Sequence, residues 1–168
     1  MKATFTRPAT LEDAERVAAR LREEDRQEVL AAGGVDPRIV LPSYVREGRE
    51  VYAAGLAEEG LAELLWGIDP IPFYDGVAVV WMLSTDRIYD YPVEFVIRTR
   101  EGLDQLHERF ELLTNFIDAR NERHIRWLKW LGFKFLRRIE QFGAQSLPFY
   151  EFASYRQKCA SLPYPPLE

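Results

Sequence analysis

The sequence predicts an α+β fold: one mixed, mostly antiparallel central sheet of about six or seven strands with flanking helices. Three observations predict it. Apolar runs follow one another at Arg49 to Ala57 (REVYAAGLA), Leu61 to Ile68 (LAELLWGI) and Val77 to Leu83 (VAVVWML), separated only by turn material at 58–60 and 69–76. Such short connections join antiparallel neighbours. In the second half, helical and strand-like patterns alternate, which places helices beside the sheet rather than in a separate bundle. Finally, 168 residues that are 47% apolar and 13% aromatic suffice for one well-buried core.

Thr10 and Asp13 form a candidate capping box, and Ala14, Val17, Ala18 and Leu21 recur at helical spacing, so a helix starts near Leu11. A second helical region follows and stops at Gly33-Gly34. Of the three strands that come next, LAELLWGI also reads as a helical turn, but it is short and lies between two turn signals. After Asp90-Tyr91-Pro92, the segment Thr99 to Phe110 gathers Leu103, Leu106 and Phe110 on one face of a surface helix. Leu112 to Asp118 (LLTNFID) is a strand. In NERHIRWLKWLGF, Asn121 is a good N-cap residue, Ile125, Trp127, Leu128 and Leu131 make an apolar face, and Gly132 ends the helix. Strands at Phe133 to about Ile139 and Phe149 to Ala153 flank a turn near Gly143. The organisation expected is a single domain over residues 1–155 and a proline-rich tail over 156–168. The tail ends SLPYPPLE and is extended, draping over the body or reaching a partner.

A net charge of -5 argues against a protein that coats nucleic acid. The exception is a basic stretch in which Arg120, Arg123, Arg126, Lys129, Lys134, Arg137 and Arg138 face the single acid Glu122. Trp127 and Trp130 are three apart and cannot both point inward beside Leu128 and Leu131. With Arg123 and Arg126 they form a candidate interaction surface: a protein-interface hot spot, a stacking platform for nucleic acid, or a wall against the tail.

No run of eighteen apolar residues occurs, and the start, MKATFTRPATLEDAERV, lacks the apolar block of a secretion signal. The expectation is a soluble, cytoplasmic chain. Cys159 is the only cysteine and a free thiol, and with two histidines it is too little for a zinc site, so no metal is expected. His107 and His124 have no Ser or Cys partner in any nucleophile motif and read as surface or boundary histidines. Glu23, Glu24, Asp25 and Glu28, beside Arg20, Arg22 and Arg26, read as solvated ion pairs.

The order helix, helix, three antiparallel strands, helix, strand, helix, strand, strand resembles the GNAT acetyltransferase fold. NERHIRWLKWLGF resembles that family's closing helix, in which an asparagine is followed eleven and twelve residues later by Gly-Phe, here Asn121, Gly132 and Phe133. The resemblance implies an acetyl-CoA arm lying along a splayed strand, VAVVWML. Met82, Leu83, Ser84, Arg87 and Asn121 would then be the cofactor contacts if acetyl-CoA binds. Two departures count against transfer. The segment STDRIYDYPVEFVIRTREG has no glycine before Gly102 and includes Pro92, which has no amide for a phosphate. Seven residues after Asn121, where the family carries a tyrosine acid, this chain has Leu128, so no catalytic residue is assigned.

A closer likeness, carried by RPATLEDAERVAARLREEDRQEVLAAG, VWMLSTD and NFIDARNERHIRWLKWLGFKF, is to small GNAT-like proteins of tailed bacteriophages, among them internal virion and core-assembly proteins. It implies a phage or prophage protein and leaves the activity open; with the two departures above, the expectation is a virion-associated or assembly-related protein without acetyl transfer or cofactor. Its partners would be phage structural or assembly proteins, with nucleic acid a minor partner, and its location the host cytoplasm and the virion. The alternative it implies is an acyl-CoA-dependent N-acetyltransferase with an atypical phosphate-binding turn.

Overall fold

The computed structural model describes residues 2–156, so the proline-rich tail and Cys159 lie outside the described residues. The chain opens on a strand that the sequence pattern does not announce, β1 (Thr4–Pro8), a five-residue edge with a weak apolar pattern. Thr10 then caps α1 (Leu11–Ala19) as expected: the Asp13 amide donates to Thr10 Oγ1, and the Thr10 amide donates to Asp13 Oδ2 at 2.8 Å. Next come α2 (Glu23–Gly33) and a second unanticipated element, α3 (Pro37–Arg46). Asp36 caps α3 and Pro37 opens its first turn, where a missing amide costs nothing, so the helix forms despite Pro42 in its interior.

The three predicted strands are β2 (Glu50–Leu56), β3 (Leu64–Pro70) and β4 (Val77–Ser84). A 3-10 turn over Asp86–Asp90 leads into α4 (Pro92–Arg109), which starts seven residues earlier than its sequence pattern suggests because Pro92 is tolerated at its first position. Then follow β5 (Leu112–Asp118), α5 (Glu122–Leu131), β6 (Lys134–Phe142) and β7 (Leu147–Tyr155). Gly132, at φ 97°, takes the left-handed conformation that ends α5.

The seven strands lie in the order β1-β2-β3-β4-β5-β7-β6, antiparallel throughout except for β4 and β5. One sheet face packs Ile68, Ala78, Leu113 and Ile117 against Leu103 and Leu106 of α4 and Ile125, Leu128 and Leu131 of α5. The other packs Ala53, Leu65 and Leu83 against Ala14 and Val17 of α1 and Leu41 of α3. Among the described residues, no helix is long and apolar enough to cross a membrane.

The parallel pair is the irregular place. β4 and β5 are in register only over Val77–Val79 and Leu112–Thr114, yet they run on to Ser84 and Asp118. Beyond Val79 the strands part and leave a V-shaped gap in the middle of the sheet.

Candidate functional site

Strands that separate leave backbone groups without ladder partners, and buried groups of that kind must be satisfied in another way. The direction of each residue's groups follows from the two bonds at the ends of β4. The Leu112 amide donates to the Gly76 carbonyl at 3.0 Å, and the Arg22 amide donates to the Ser84 carbonyl at 3.0 Å. Alternate residues of a strand turn to the same neighbour, so Gly76, Ala78, Val80, Met82 and Ser84 present their backbone groups on the β5 side.

Side chains take three of the backbone groups that the parting leaves free. Asn115 donates from Nδ2 to the Val80 carbonyl at 2.9 Å, and its Oδ1 accepts from the Phe116 amide at 2.7 Å. Asp25 Oδ2 accepts from the Ser84 amide at 2.9 Å. Glu28 Oε2 accepts from the Asp118 amide at 3.3 Å and from Asn121 Nδ2 at 3.1 Å. One asparagine from β5 and two carboxyl groups from α2 therefore stand in for the missing ladder, and Met82 is left facing the opening.

These groups form one buried cluster. The Arg22 guanidinium, 4% exposed, bonds both carboxylate oxygens of Asp25, itself 1% exposed, and also the Tyr89 hydroxyl. Burial alone would lower the Arg22 pKa, but Asp25 and Tyr89 beside it hold it above its ordinary value. Burial, then the neighbouring Asp25 charge, pushes the Glu28 carboxyl up to about 8. Burial pushes His124, whose Nδ1 lies 4.0 Å from Asp25, down to about 4. At neutral pH the cluster is one ion pair, Arg22 and Asp25, with Glu28 and His124 neutral, a balance that a low-dielectric site favours.

A cavity of about 550 Å³ opens from this gap, lined by Met82, Tyr91, Phe95, Asn115, His124 and Trp127 among others. The Tyr91 hydroxyl, His124 Nδ1 and Trp127 Nε1 are buried there without hydrogen-bond partners. Trp127 packs between Phe95 of α4, at 5.3 Å between ring centres, and His124, at 5.0 Å. Its indole thus bridges α4 and α5 across the cavity.

Several sequence expectations are corrected here. Asn121 is not a side-chain N-cap: its amide reaches back to Glu28 and Asp25 on α2, and its Oδ1 accepts from no first-turn amide. Asp25 is buried and Glu28 half-buried, each bonded to a strand amide, whereas Glu23, paired with Arg26 at 2.6 Å, and Glu24 are exposed. His124 is a mostly enclosed member of the cluster, its side chain 10% exposed. His107 does meet a serine, since its Nε2 lies 2.7 Å from Ser154 Oγ while Nδ1 lies 3.2 Å from the Phe110 carbonyl.

The expected cofactor contacts fall as follows. Met82, Leu83 and Ser84 line the parting edge of β4, with the Leu83 side chain turned to the α1 and α3 face. Arg87 is held by Glu59 at 2.5 Å and Asp90 at 3.3 Å. At the start of α4, Pro92 has no amide, the Phe95 amide donates to the Tyr91 carbonyl, and the Glu94 carboxylate accepts from the Lys2 amide at 2.6 Å. Leu128 lies in the core. Of the expected interaction residues, Trp127 is mostly inside, whereas Trp130 is 53% exposed with Arg100 5.2 Å over its ring. Arg123 stacks on Tyr89 at 4.5 Å, and Arg126 lies 3.7 Å from Glu122. The residues that sequence reasoning missed, Asp25 and Glu28, share a helical stripe with Val29 and Ala32, which was the available signal of burial.

Against known families, residues 74–139 match the profile described as "Bacteriophage T7, probable scaffold protein Gp13". No curated protein sequence matches the chain. Among solved structures, it is similar to a GNAT-family acetyltransferase from Bacillus anthracis, with 10% identity, 94% of this chain and 97% of that chain covered, and a TM-score of 0.73. The ribosomal-protein-S18-alanine N-acetyltransferase from Escherichia coli is 12% identical over 96% of this chain and 99% of that chain, with a TM-score of 0.67. The ribosomal-protein-S5-alanine acetyltransferase from Vibrio fischeri is 13% identical over 94% and 96%, with a TM-score of 0.65. At these identities the likeness is one of architecture, and the seven-stranded, mostly antiparallel sheet with its parted parallel pair is the GNAT fold.

Proposed function

We propose that the chain is a phage assembly protein, scaffold-like or carried in the virion, whose GNAT sheet serves as a body for protein contacts and does not transfer acetyl groups. The match of residues 74–139 to a phage scaffold family supports the phage context. The observation that carries the reading is the partly filled gap, because Asn115 and Asp25 already take the Val80 carbonyl and the Ser84 amide of β4, two of the groups that a pantetheine arm would use, and Glu28 takes the facing Asp118 amide of β5.

Magnitude decides between this filling and an easily displaced plug. Moving Asp25 off the Ser84 amide would break a buried, charge-assisted hydrogen bond worth about 1.5–3 kcal/mol and disturb the oxygen that Arg22 Nε also bonds. An entering arm would recover a neutral hydrogen bond worth about 1 kcal/mol. At the mouth, Pro92 and Glu94 give the first turn of α4 fewer donors and more negative charge than a pyrophosphate needs. Leu128 offers no proton for a leaving thiolate.

The test is thermal unfolding with and without millimolar acetyl-CoA. A ligand at a hundred times its dissociation constant adds about 2.7 kcal/mol, or roughly 5–11 °C at 2–4 °C per kcal/mol for a domain of this size. The expected shift is below about one degree, within the scatter of such midpoints. A rise of several degrees, followed by acetylation of an amine acceptor, would overturn the proposal. It would establish instead the acyl-CoA-dependent N-acetyltransferase, the reading that the unpartnered Tyr91, His124 and Trp127 atoms favour.

A further inference from the structure

Two exposed aromatic surfaces take no part in the gap or in the packing of the fold. The first is the tip of the hairpin between β3 and β4, sequence IPFYDG. Phe73 is fully exposed there at φ 68°, a left-handed conformation that suits glycine and strains a bulky side chain, while its ring buries nothing in return. Tyr74 beside it is also exposed. A strained residue whose side chain makes no internal contact gains nothing for folding, which directs attention to an external partner. Asp75 and Glu111, the latter bonded through its amide to the Gly76 carbonyl at 2.7 Å, have no ion-pair partner among the described residues and make the tip acidic.

The second surface is the outer seam between α4 and α5. Val93 and Ile97, one turn apart on α4, are exposed, and Trp130 of α5 lies beside Arg100. Arg100, Arg123 and Lys129 have no carboxylate partner among the described residues and outnumber the unpaired Asp104, one turn beyond Arg100, so this apolar strip has a margin of net positive charge.

We propose that the two surfaces bind each other between copies of the chain, the aromatic, acidic hairpin tip of one molecule docking on the apolar, basic α4–α5 seam of the next. The inference rests on the assembly reading above. Aromatic anchors surrounded by complementary charge are the usual composition of an interface hot spot. The proposed contact is not returned by the same pair of molecules, so it is heterologous, and repetition builds a ring or an open chain. The acidic tip favours this basic protein surface over an anionic bilayer, which would repel it.

Sedimentation of the full chain from micromolar to millimolar concentration tests the contact, with Phe73→Gly and Trp130→Ser as probes. The wild type is expected to grow past the dimer with concentration and to dissociate as salt is raised. Each variant alone should associate at least about tenfold more weakly. An equal mixture of the two should form a 1:1 dimer that grows no further, since each variant retains the half that the other lacks. Glycine suits the backbone at position 73, so Phe73→Gly should unfold at or above the wild-type midpoint, and misfolding cannot account for its loss of assembly.

A wild type that stays monomeric would overturn the proposal, as would assembly indifferent to either substitution, or a mixture that fails to pair. Monomeric protein that sediments with phosphatidylcholine vesicles through Phe73 would assign the tip to lipid and also overturn it. Stabilisation by acetyl-CoA with assembly intact would remove the functional reading and leave this contact standing. Monomeric protein without that stabilisation would do the reverse.

Discussion

Substituting Glu28 with glutamine probes the charge state of the gap directly. The folded chain keeps the Glu28 proton up to a pH of about 8, whereas the unfolded chain releases it near 4.5. Between those values the folded state binds more protons, so stability falls as pH rises. His124 acts in the opposite sense: held at about 4 against an ordinary 6.5, it refuses a proton that the unfolded chain accepts, so stability falls as pH drops below 6.5. From about 4.5 to 6.5 the two slopes cancel, and from 6.5 to 8 Glu28 acts alone. Over that window of 1.5 units (8 minus 6.5), at about 1.4 kcal/mol per unit, Glu28 removes about 2 kcal/mol, or roughly 4–8 °C of midpoint. Glutamine retains an oxygen for the Asp118 and Asn121 donors but carries no titrating proton, so this part of the alkaline loss disappears. Urea unfolding of both proteins at pH 6.5 and pH 8 measures it, and groups common to both cancel in the difference. Equal losses in the two proteins would refute the assignment of a neutral Glu28.

Two further substitutions test what holds the gap and the sheet. Asp25→Ala leaves the Arg22 guanidinium buried beside an unsatisfied Ser84 amide, and should cost about 3–5 kcal/mol by urea unfolding; a loss below about 1 kcal/mol would mean that the pair does not support the parted strands. Gly67→Ala places a methyl group inside the contact distance of the Trp81 indole, its neighbour across β3 and β4, and should cost about 1–3 kcal/mol. A neutral alanine would show that the indole has room to move.

What the sequence reveals about this fold is what consecutive residues encode. The capping box of Thr10 and Asp13, the three strands from β2 to β4, and the stop of α5 at Gly132 are local signals, and all appear in the structure. β1 is not legible in that way, because TFTRP becomes a strand only through its pairing with β2, from Thr4 opposite Leu56 to Pro8 opposite Tyr52. Two prolines mask α3, although Asp36 followed by Pro37 is a helix start on its own chemistry. The site is hidden for a stronger reason. Asn121 carries the signal of an N-cap, but it lies within 3.4 Å of Asp25, a residue 96 positions earlier, and that tertiary partner takes its side chain. Asp25 and Glu28 look like ordinary surface charges until their helical phase with Val29 and Ala32 is taken into account.

The gap itself explains why such residues are present. A parallel pair that parts inside a sheet leaves amides and carbonyls without ladder partners, and those that are buried require donors and acceptors from elsewhere. They can come from a bound ligand or from the chain. Here α2 supplies two of the three substitutes, at Ser84 on β4 and at Asp118 on β5, and Asn121 joins the same helix to the start of α5. Each bond spans a long stretch of sequence, so the cluster ties the N-terminal helices to both sides of the parted sheet. Opening the gap would therefore release the packing of α2 as well as a few hydrogen bonds. Residues 74–139, the part similar to the phage scaffold family, contain both parted strands, Asn115 and Asn121, but none of α2. The carboxyl groups that close the gap thus come from outside the matched region, where a change at Asp25 or Glu28 would alter the site without touching a residue of that match.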